Sequence, residues 1–187
     1  MLKAFQFNSA FDAQPNLEGH GITANPLREE DRSDLFAAAS DPNIWQGHPA
    51  KTRYKPEVFH PYFDFLLATK GNLIFRETPS GEAIGCSNYY CDPNAPTRLS
   101  IGFTFLVCEH WGGQTNHAIK SLMLDHLFTY RSEAWFHIAP TNIRSQRATQ
   151  KLGAVYTHMA DLNLSGQPAA WQCYCLTLEA YERTFKV

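Results

Sequence analysis

The chain has 187 residues, of which 44% are hydrophobic and 18% are charged, and its formal net charge is -2 at pH 7. This composition fits one folded domain and excludes an intrinsically disordered chain. The near-neutral charge argues against a nucleic-acid partner, and we expect no membrane contact because no apolar run has spanning length. The five cysteines include no C-x-x-C pair and the N-terminus does not have the pattern of a signal peptide. We therefore expect reduced thiols, a cytoplasmic location and no metal site.

Up to residue 71 the chain is predicted to form one strand followed by two helices. Its elements are a strand that runs into a turn over residues 17–27, a helix over 28–40, an aromatic-rich loop over 43–54 and a helix over 56–71. Acidic residues in the first turn favour the first helix, and Asp41-Pro42 ends it. Pro56 suits the first position of the second helix, whereas Pro61 should kink or split it.

The second half alternates strands and helices. Strands are predicted over residues 72–78, 82–91, 98–107, 133–139, 154–164 and 169–178, and helices over residues 116–130 and 142–153. The strand–helix–strand unit at 98–139 should pair its two strands in parallel. The order predicts one α/β domain of the α+β type, with a mixed, mostly antiparallel sheet flanked by helices. It covers residues 1–187, with 1–16 as an N-terminal extension.

The segment "EHWGGQTNHAIKSLMLDHLF", residues 109–128, places Gly112 and Gly113 directly before a helix. Paired glycines allow a backbone to come very close to a ligand. The helix N-terminus behind them offers unpaired N–H groups and the positive end of a dipole. Such a segment indicates a site for an anion, most often a phosphate. The alternative is a glycine-rich turn that carries no ligand.

Three segments follow the pattern of a known family: "GITANPLREEDRSDLFAAASDPNIW", "IGFTFLVCEHWGG" and "PTNIRSQRATQKLGA". They are similar to the first strand and helix, the central strand with its pyrophosphate loop, and the second cofactor motif of the GNAT superfamily of acyl-CoA-dependent N-acetyltransferases. Within that superfamily the chain resembles the branch that acetylates ribosomal-protein N-termini, over residues 17–178. The loop departs from the family pattern at Trp111, Gln114 and Asn116, where the family has Gln or Arg, a Gly and a small residue.

The resemblance implies acetyl-CoA as co-substrate, with its pantetheine arm lying between a splayed pair of strands. Backbone groups of Phe105, Leu106 and Val107 would bond this arm. The pyrophosphate would bind at the helix start, formed by Gly112, Gly113, Gln114, Thr115, Asn116, His117 and Ala118. Asn142 and Arg147 are implied as further cofactor contacts. Asn142 also suits the cap of its helix, and Arg147 also suits a solvated helix face.

Acetyl transfer to an amine needs a neutral amine, a stabilised oxyanion and a proton for the departing thiolate. The resemblance implies that Ser145 lies near the sulfur, the alternative being an ordinary serine of a first helical turn. His137 is the candidate base, the alternative being a core histidine. The related enzymes often carry a glutamate where this chain has Ser100. A water chain to bulk solvent is therefore a further alternative for removing the proton.

In this fold the acceptor enters from the side opposite the cofactor, between the two-helix segment and the last hairpin. The candidate contacts there are Trp45, His48, Tyr54 and Tyr62 on one side and the turn at residues 163–171 on the other, with Tyr89 and Tyr90 adding to the floor. Few acids cluster in these segments, which disfavours a polycation and favours the α-amine of a peptide, a protein N-terminus or a small amino compound. The alternative function is a non-catalytic acyl-CoA-binding sensor or partner module. The final hairpin of this fold often forms dimers, so a homodimer is a further expectation.

Overall fold

The computed structural model describes residue 7, residues 10–164 and residues 166–185. Its strands are β1 (Leu17–Gly19), β2 (Ile22–Pro26), β3 (Asn72–Glu77), β4 (Ala83–Asp92), β5 (Ala95–Leu106), β6 (Glu133–Ile138), β7 (Val155–Leu162) and β8 (Ala169–Thr177). Its α-helices are α1 (Arg32–Ala39), α2 (Pro56–Ala68), α3 (Gln114–Phe128), α4 (Ile143–Lys151) and α5 (Leu178–Phe185). The strands form one sheet in the spatial order β1-β2-β3-β4-β5-β6-β8-β7.

The sheet is mostly antiparallel, as predicted, and β5 and β6 form its parallel pair. The register between β5 and β6 places Ser100 opposite Trp135. Beyond that position β5 stays paired with β4 as far as Leu106, while β6 pairs with β8. The two parallel strands therefore meet near Ser100 and separate toward their carboxyl ends.

Helices cover both faces of the sheet and form a core on each. On one face α3 and α5 contribute Leu124, Leu127 and Tyr181 to a large apolar cluster. On the other face α1 and α2 contribute Leu35 and Phe63. Consecutive strand residues alternate between the two clusters, as the pleat of a strand requires. The side of the sheet that a strand residue faces is therefore set by its register.

Several elements differ from the prediction, and two of them chiefly in their first residue, since β5 begins at Ala95 and α1 at Arg32. Residues 17–27 form two strands, because His20 and Gly21 take φ values of 54° and 76° and reverse the chain. The helix α2 continues through Pro61, whose missing amide costs one hydrogen bond while the apolar face of the helix stays packed. The helix α3 begins at Gln114, two residues earlier than predicted. The helix α5 is absent from the prediction, although it buries Tyr181 completely.

The N-terminal extension takes part in the fold where the structure describes it. The Phe11 side chain is 6% exposed, and its ring centroid lies 5.2 Å from those of Tyr89 and Tyr130. Residues 1–6 and 8–9 of this extension lie outside the described residues. No helix in the described part of the chain is long and apolar enough to cross a membrane. The five cysteines, all described, are free thiols.

The strand β7 lies at one edge of the sheet. Its side chains Val155, Tyr156 and Met159 are 62%, 50% and 45% exposed. An edge strand with exposed apolar side chains can pair with another chain. The homodimer through the β7–β8 hairpin stays a prediction.

Candidate active site

The gap between β5 and β6 begins beside an irregular stretch of β5. Phe103 takes a φ of 53°, which is uncommon for a residue with a side chain, and the pairing of β4 with β5 shifts register between Cys86 and Asn88. The distorted carbonyls accept hydrogen bonds from the α1/α2 side of the sheet: the Tyr62 hydroxyl donates to the Phe103 carbonyl at 3.4 Å. A bulge of this kind bends its strand, which is consistent with the separation of β5 from β6.

A groove of about 750 Å³ lies at the N-terminus of α3. Its lining residues are His20, Gly112, Gly113, Gln114, Thr115, His117 and Ala118. Gly112 has a φ of 68°, and Gly113 is the N-cap with a φ of -99°. A Cβ on either glycine would meet no atom within 4 Å. The glycines therefore leave open space in front of helix amides that have no carbonyl partner within the helix, and this space fits an anion.

The groove is connected to α4 through Trp111 and Arg144. The Trp111 indole donates to the Leu106 carbonyl at 2.9 Å, and the Arg144 guanidinium lies 3.9 Å from the Trp111 ring centroid. Arg144 also donates to the Ile44 carbonyl at 3.0 Å. The side chain of Arg144 thus joins the start of α4 to the glycine loop and to the turn after α1.

The first turn of α4 holds two of the predicted site residues. Asn142 is 8% exposed, and its side-chain oxygen accepts the backbone N–H of Ser145 at 3.2 Å. Its role as helix cap is therefore confirmed, and its contact with a cofactor stays a prediction. Ser145 is half-buried beside it, whereas Arg147 is exposed on the same helix.

The predicted backbone contacts to the pantetheine arm lie at the end of β5. Phe105 packs in the α1/α2 core, 5.2 Å from the Trp45 ring, and Leu106 packs in the opposite core. The Val107 amide donates to the Ile84 carbonyl at 2.9 Å, and its own carbonyl accepts the His110 amide at 3.1 Å. Both backbone groups of Val107 are thus already bonded within the protein. The Leu106 carbonyl likewise accepts the Trp111 indole, so the contacts of Phe105, Leu106 and Val107 with the arm stay predictions.

The predicted acceptor residues separate into two groups. Tyr89 is fully buried on the α3 side of the sheet, where its hydroxyl donates to the Met123 carbonyl at 2.8 Å. This placement corrects its assignment to the acceptor cleft, because Tyr89 faces away from Trp45. Trp45 is itself a core residue, 2% exposed, whose indole donates to the Ala39 carbonyl. His48 and Tyr54 are half-buried on the α1/α2 side, and their contact with an acceptor stays a prediction.

His48 is neutral at neutral pH. Burial, assisted by the positive charges of Arg53 and Arg144, lowers the pKa of His48 to about 3. Its Nδ1 accepts the Ala50 amide at 2.9 Å, and its Nε2 lies 3.4 Å from Arg53. The Arg53 guanidinium covers the Tyr62 ring at 3.7 Å. The side of the cleft near α2 therefore carries arginine charge.

His137 lies in a polar cluster on the α1/α2 side of the sheet. Its Nδ1 is 2.8 Å from the Tyr90 hydroxyl, and its Nε2 is 3.5 Å from Asp92 Oδ2. Asp92 was not among the site residues predicted from the sequence. The sequence did carry a signal for this residue. Asp92 lies two positions after Tyr90 on the same strand, so the two side chains share one face of the sheet. Tyr90, rather than Tyr89, is the tyrosine that faces this side.

Burial shapes the electrostatics of this cluster. Burial, with a contribution from Asp92, raises the pKa of Tyr90 far above its ordinary value. Burial alone would also raise the pKa of Asp92, but contacts with His137, the Asn94 amide and Arg98 outweigh it and lower the pKa. Asp92 is therefore a carboxylate and Tyr90 a phenol at neutral pH. The cluster therefore places a hydroxyl, an imidazole and a carboxylate charge next to one another in space, in that order.

Solved acetyltransferase structures share the fold. A GCN5-related N-acetyltransferase from Brucella melitensis has a TM-score of 0.74 at 15% identity, with 99% of this chain and 86% of that chain covered. RimJ from Mycobacterium smegmatis, in complex with CoA-disulfide, has a TM-score of 0.62 at 18% identity, with 90% and 91% covered. A Vibrio cholerae protein provisionally described as a ribosomal-protein-serine acetyltransferase has a TM-score of 0.70 at 11% identity, with 89% and 99% covered. Among curated proteins, no sequence matches this chain.

The sequence of residues 22–155 matches the family described as the acetyltransferase (GNAT) domain. The matched span includes the β5–β6 gap, the glycine loop and the whole of α4. The predicted resemblance and the predicted class of enzyme, an acyltransferase, are thereby confirmed, and two of the structures with the same fold come from the ribosomal-protein branch or are described so. Because this family matches more than half of the sequence and solved acetyltransferases share the fold, the chain belongs to the GNAT acetyltransferase family.

Proposed function

We propose that this protein transfers an acetyl group from acetyl-CoA to a primary amine by direct transfer within a ternary complex. The acceptor is the α-amine of a peptide or protein N-terminus, or of a small amino compound. The observation that carries this proposal is the combination of an open, glycine-capped helix N-terminus at Gly113 with the separation of β5 from β6. The helix N-terminus suits a pyrophosphate, and the separated strands suit an extended arm that pairs with a strand.

The residues at the groove fit the pyrophosphate of acetyl-CoA. Seven residues line the groove of about 750 Å³. Six of them were predicted for this site from the sequence, and His20 is the one addition. Backbone amides at the start of α3 supply positive dipoles at fixed positions. Phe105, Leu106 and Val107 would hold the arm, while Asn142 and Arg147 at α4 would contact the cofactor from the other side. Acetyl-CoA supplies the thioester when it is bound.

His137 and Ser145 are the proposed proton-transfer groups. The amine must lose a proton before its lone pair can attack the thioester carbonyl, and His137 lies on β6 next to the gap. The leaving thiolate is stabilised by a hydrogen bond from a hydroxyl, and the Ser145 side chain lies in the first turn of α4. Both roles rely on the placement of the arm between β5 and β6.

The charges around the cleft support an acceptor with a single amine. Asp64 is bound to Arg32 at 2.6 Å on the surface of α2, so its charge is already paired. Asp161 is exposed on β7. Arg53 instead places positive charge over the aromatic side of the cleft. A polyamine or aminoglycoside needs several carboxylates that face one cleft, and this arrangement does not favour it.

A steady-state screen of acceptors tests the proposal. Purified protein is incubated with acetyl-CoA and with peptides, amino acids, polyamines or aminoglycosides, and CoA release is measured together with the mass of the product. The highest kcat/KM is expected for an α-amine of a peptide or amino compound. A polyamine or aminoglycoside that wins by a large margin would show the acceptor assignment to be wrong. Bound CoA without any acetylated product would instead identify a non-catalytic acyl-CoA-binding module.

A further inference from the structure

Three buried polar side chains form a connected line beside the β5–β6 gap. The Tyr90 hydroxyl lies 2.8 Å from His137 Nδ1, and His137 Nε2 lies 3.5 Å from Asp92 Oδ2. Tyr90 is 1% exposed, and the side chains of His137 and Asp92 are 0% and 5% exposed. Burying a carboxylate, an imidazole and a phenol together costs solvation energy unless they bind one another. Their alignment therefore indicates a network and not a chance contact.

The contacts assign a direction to this network. Asp92 Oδ2 lies 3.5 Å from His137 Nε2, and because a carboxylate can only accept, its charge favours the tautomer that carries the N–H at Nε2. His137 Nδ1 is then left as an acceptor, and the Tyr90 hydroxyl donates to it. The line runs from the phenol through the imidazole to the carboxylate. The phenol oxygen, which the Ser100 side chain also contacts, lies at the opposite end of the line from Asp92.

Gly102 places the phenol end at the gap. A Cβ on Gly102 would lie 2.9 Å from Cε1 of Tyr90 and 3.3 Å from its hydroxyl oxygen, so the ring rests on the bare backbone of β5. Gly102 and His137 each lie two residues beyond the pair formed by Ser100 and Trp135. The Tyr90 hydroxyl is therefore located where the two strands begin to separate.

The final hairpin covers the other side of Tyr90. Leu162 and Leu164 form a small buried cluster with Tyr90, and Trp171 packs against it. These residues belong to β7, the turn after it and β8. Tyr90 thus lies between the gap that would hold the thioester and the hairpin that would border the acceptor.

We propose that Tyr90 is the group that takes the proton from the acceptor amine, and that His137 and Asp92 form the relay behind it. This inference rests on the proposed acetyl transfer and names how that site deprotonates its substrate. An N–H bond of the ammonium breaks and the proton joins the Tyr90 oxygen. The O–H bond of Tyr90 breaks in the same step and its proton joins His137 Nδ1. The nitrogen lone pair is freed for attack, and Asp92 stabilises the imidazolium.

The relay explains how the site could deprotonate an amine with Ser100 at the position where related enzymes often carry a glutamate. A serine there supplies no carboxylate, but the phenol from the neighbouring β4 reaches the same part of the gap. The other titratable or charged groups around the cluster are Arg98 on β5 and Cys173 on β8. Arg98 lies 3.9 Å from Asp92 Oδ2, the same oxygen that lies 3.5 Å from His137 Nε2, and its positive charge partly offsets the carboxylate charge.

The variant Tyr90→Phe tests the proposal, and Tyr89→Phe is its matched control. Both tyrosines are buried on β4, and the control removes a hydroxyl on the opposite face, where it donates to Met123. Tyr90→Phe should lower kcat/KM about 100-fold, within the usual range for loss of a general base. The Kd for acetyl-CoA, measured by calorimetry, should stay within about twofold because the phenol acts only on the amine. Tyr89→Phe should retain its activity.

Two further variants separate a relay from a structural role. In the double variant Tyr90→Phe/His137→Asn the losses should not multiply, because the two groups act as one unit. Asp92→Asn should move the acid limb of the kcat/KM profile to lower pH, since the imidazolium loses the negative charge that stabilises it. Multiplying losses, or an Asp92→Asn profile identical to that of the wild type, would overturn the relay.

The outcomes distinguish the relay from the proposed function. A wild-type protein that acetylates no amine removes the proposed function, and with it this inference. A wild-type protein that acetylates an amine while Tyr90→Phe keeps kcat/KM within about threefold refutes the relay alone, because a lost general base costs far more than that. Should Tyr90→Phe not fold, Asp92→Asn and its pH profile decide the question in the same way.

Discussion

Ser145 is the residue whose proposed role can be tested with the least disturbance of structure. Asn142 caps α4 by accepting the backbone N–H of Ser145, not its hydroxyl. An alanine at this position therefore keeps the cap and removes only the hydroxyl. Any effect of the substitution on turnover can then be assigned to the lost side-chain oxygen.

Ser145→Ala should lower kcat by about 10- to 100-fold and leave acetyl-CoA affinity nearly unchanged. A hydrogen bond to the leaving thiolate matters mainly in the transition state, so its loss appears in kcat. Steady-state kinetics and calorimetry measure the two quantities. Ser132→Ala, at an exposed serine before β6, serves as the control. An unaltered kcat would remove Ser145 from the mechanism.

At the scale of elements, the start of α3 decides whether the groove binds an anion. Gly113 has a φ of -99°, which residues with a side chain adopt readily, and open space surrounds its Cα. Gly112, by contrast, needs its positive φ for the turn itself. A side chain at 113 would thus occupy the groove without straining the loop.

Gly113→Val should weaken acetyl-CoA binding by at least about tenfold, or roughly 1.4 kcal/mol. The valine would stand where the pyrophosphate approaches the amides of α3, while thermal stability should be maintained. Calorimetry and a melting curve measure the two effects. Gly47→Val, at another glycine surrounded by open space, controls for the added side chain. Unchanged affinity for the Gly113 variant would contradict the placement of the pyrophosphate.

At the scale of the whole molecule, the sheet separates two cores, and the N-terminal extension completes one of them. Phe11 fills a site between β4 and α3, with its ring 5.2 Å from Tyr89 and 5.5 Å from His126. The extension therefore contributes to the stability of the domain. Its contacts lie near the C-terminal end of α3, away from the groove at the N-terminal end.

Phe11→Ala should lower the free energy of unfolding by about 3 kcal/mol, because it leaves a cavity in the core. For a domain of this size the loss corresponds to a fall in Tm of about 6–12 °C. Differential scanning calorimetry measures it, and Tyr156→Ala, at a tyrosine that is 50% exposed, should change Tm little. Acetyl-CoA affinity should be the same in both variants. A Tm within 2 °C of wild type, about the shift that 1 kcal/mol produces, would show that the extension does not stabilise the fold.

Much of the fold was predictable because its signals are local. Apolar periodicity predicted α3 and the central strand, and Asn142 and Gly153 marked the two ends of the helix that the structure shows as α4. Two elements escaped this reasoning. The strand pair β1 and β2 depends on a tight reversal at His20, a residue with no strong preference for positive φ. The helix α5 has eight residues and is held by packing of Tyr181 more than by its own sequence.

The sequence by itself determined the class of fold, since periodicity, glycines and helix caps act within a few residues. Its resemblance to a known family indicated the family and predicted the positions of two cofactor motifs. Only the tertiary structure decided which of two consecutive tyrosines faces His137, because a strand reverses its faces with a shift of one residue. It alone brought Tyr90 to His137 across 47 positions and Arg144 to Ile44 across 100. Contacts over such separations arise from packing of the whole sheet, and no local pattern encodes them.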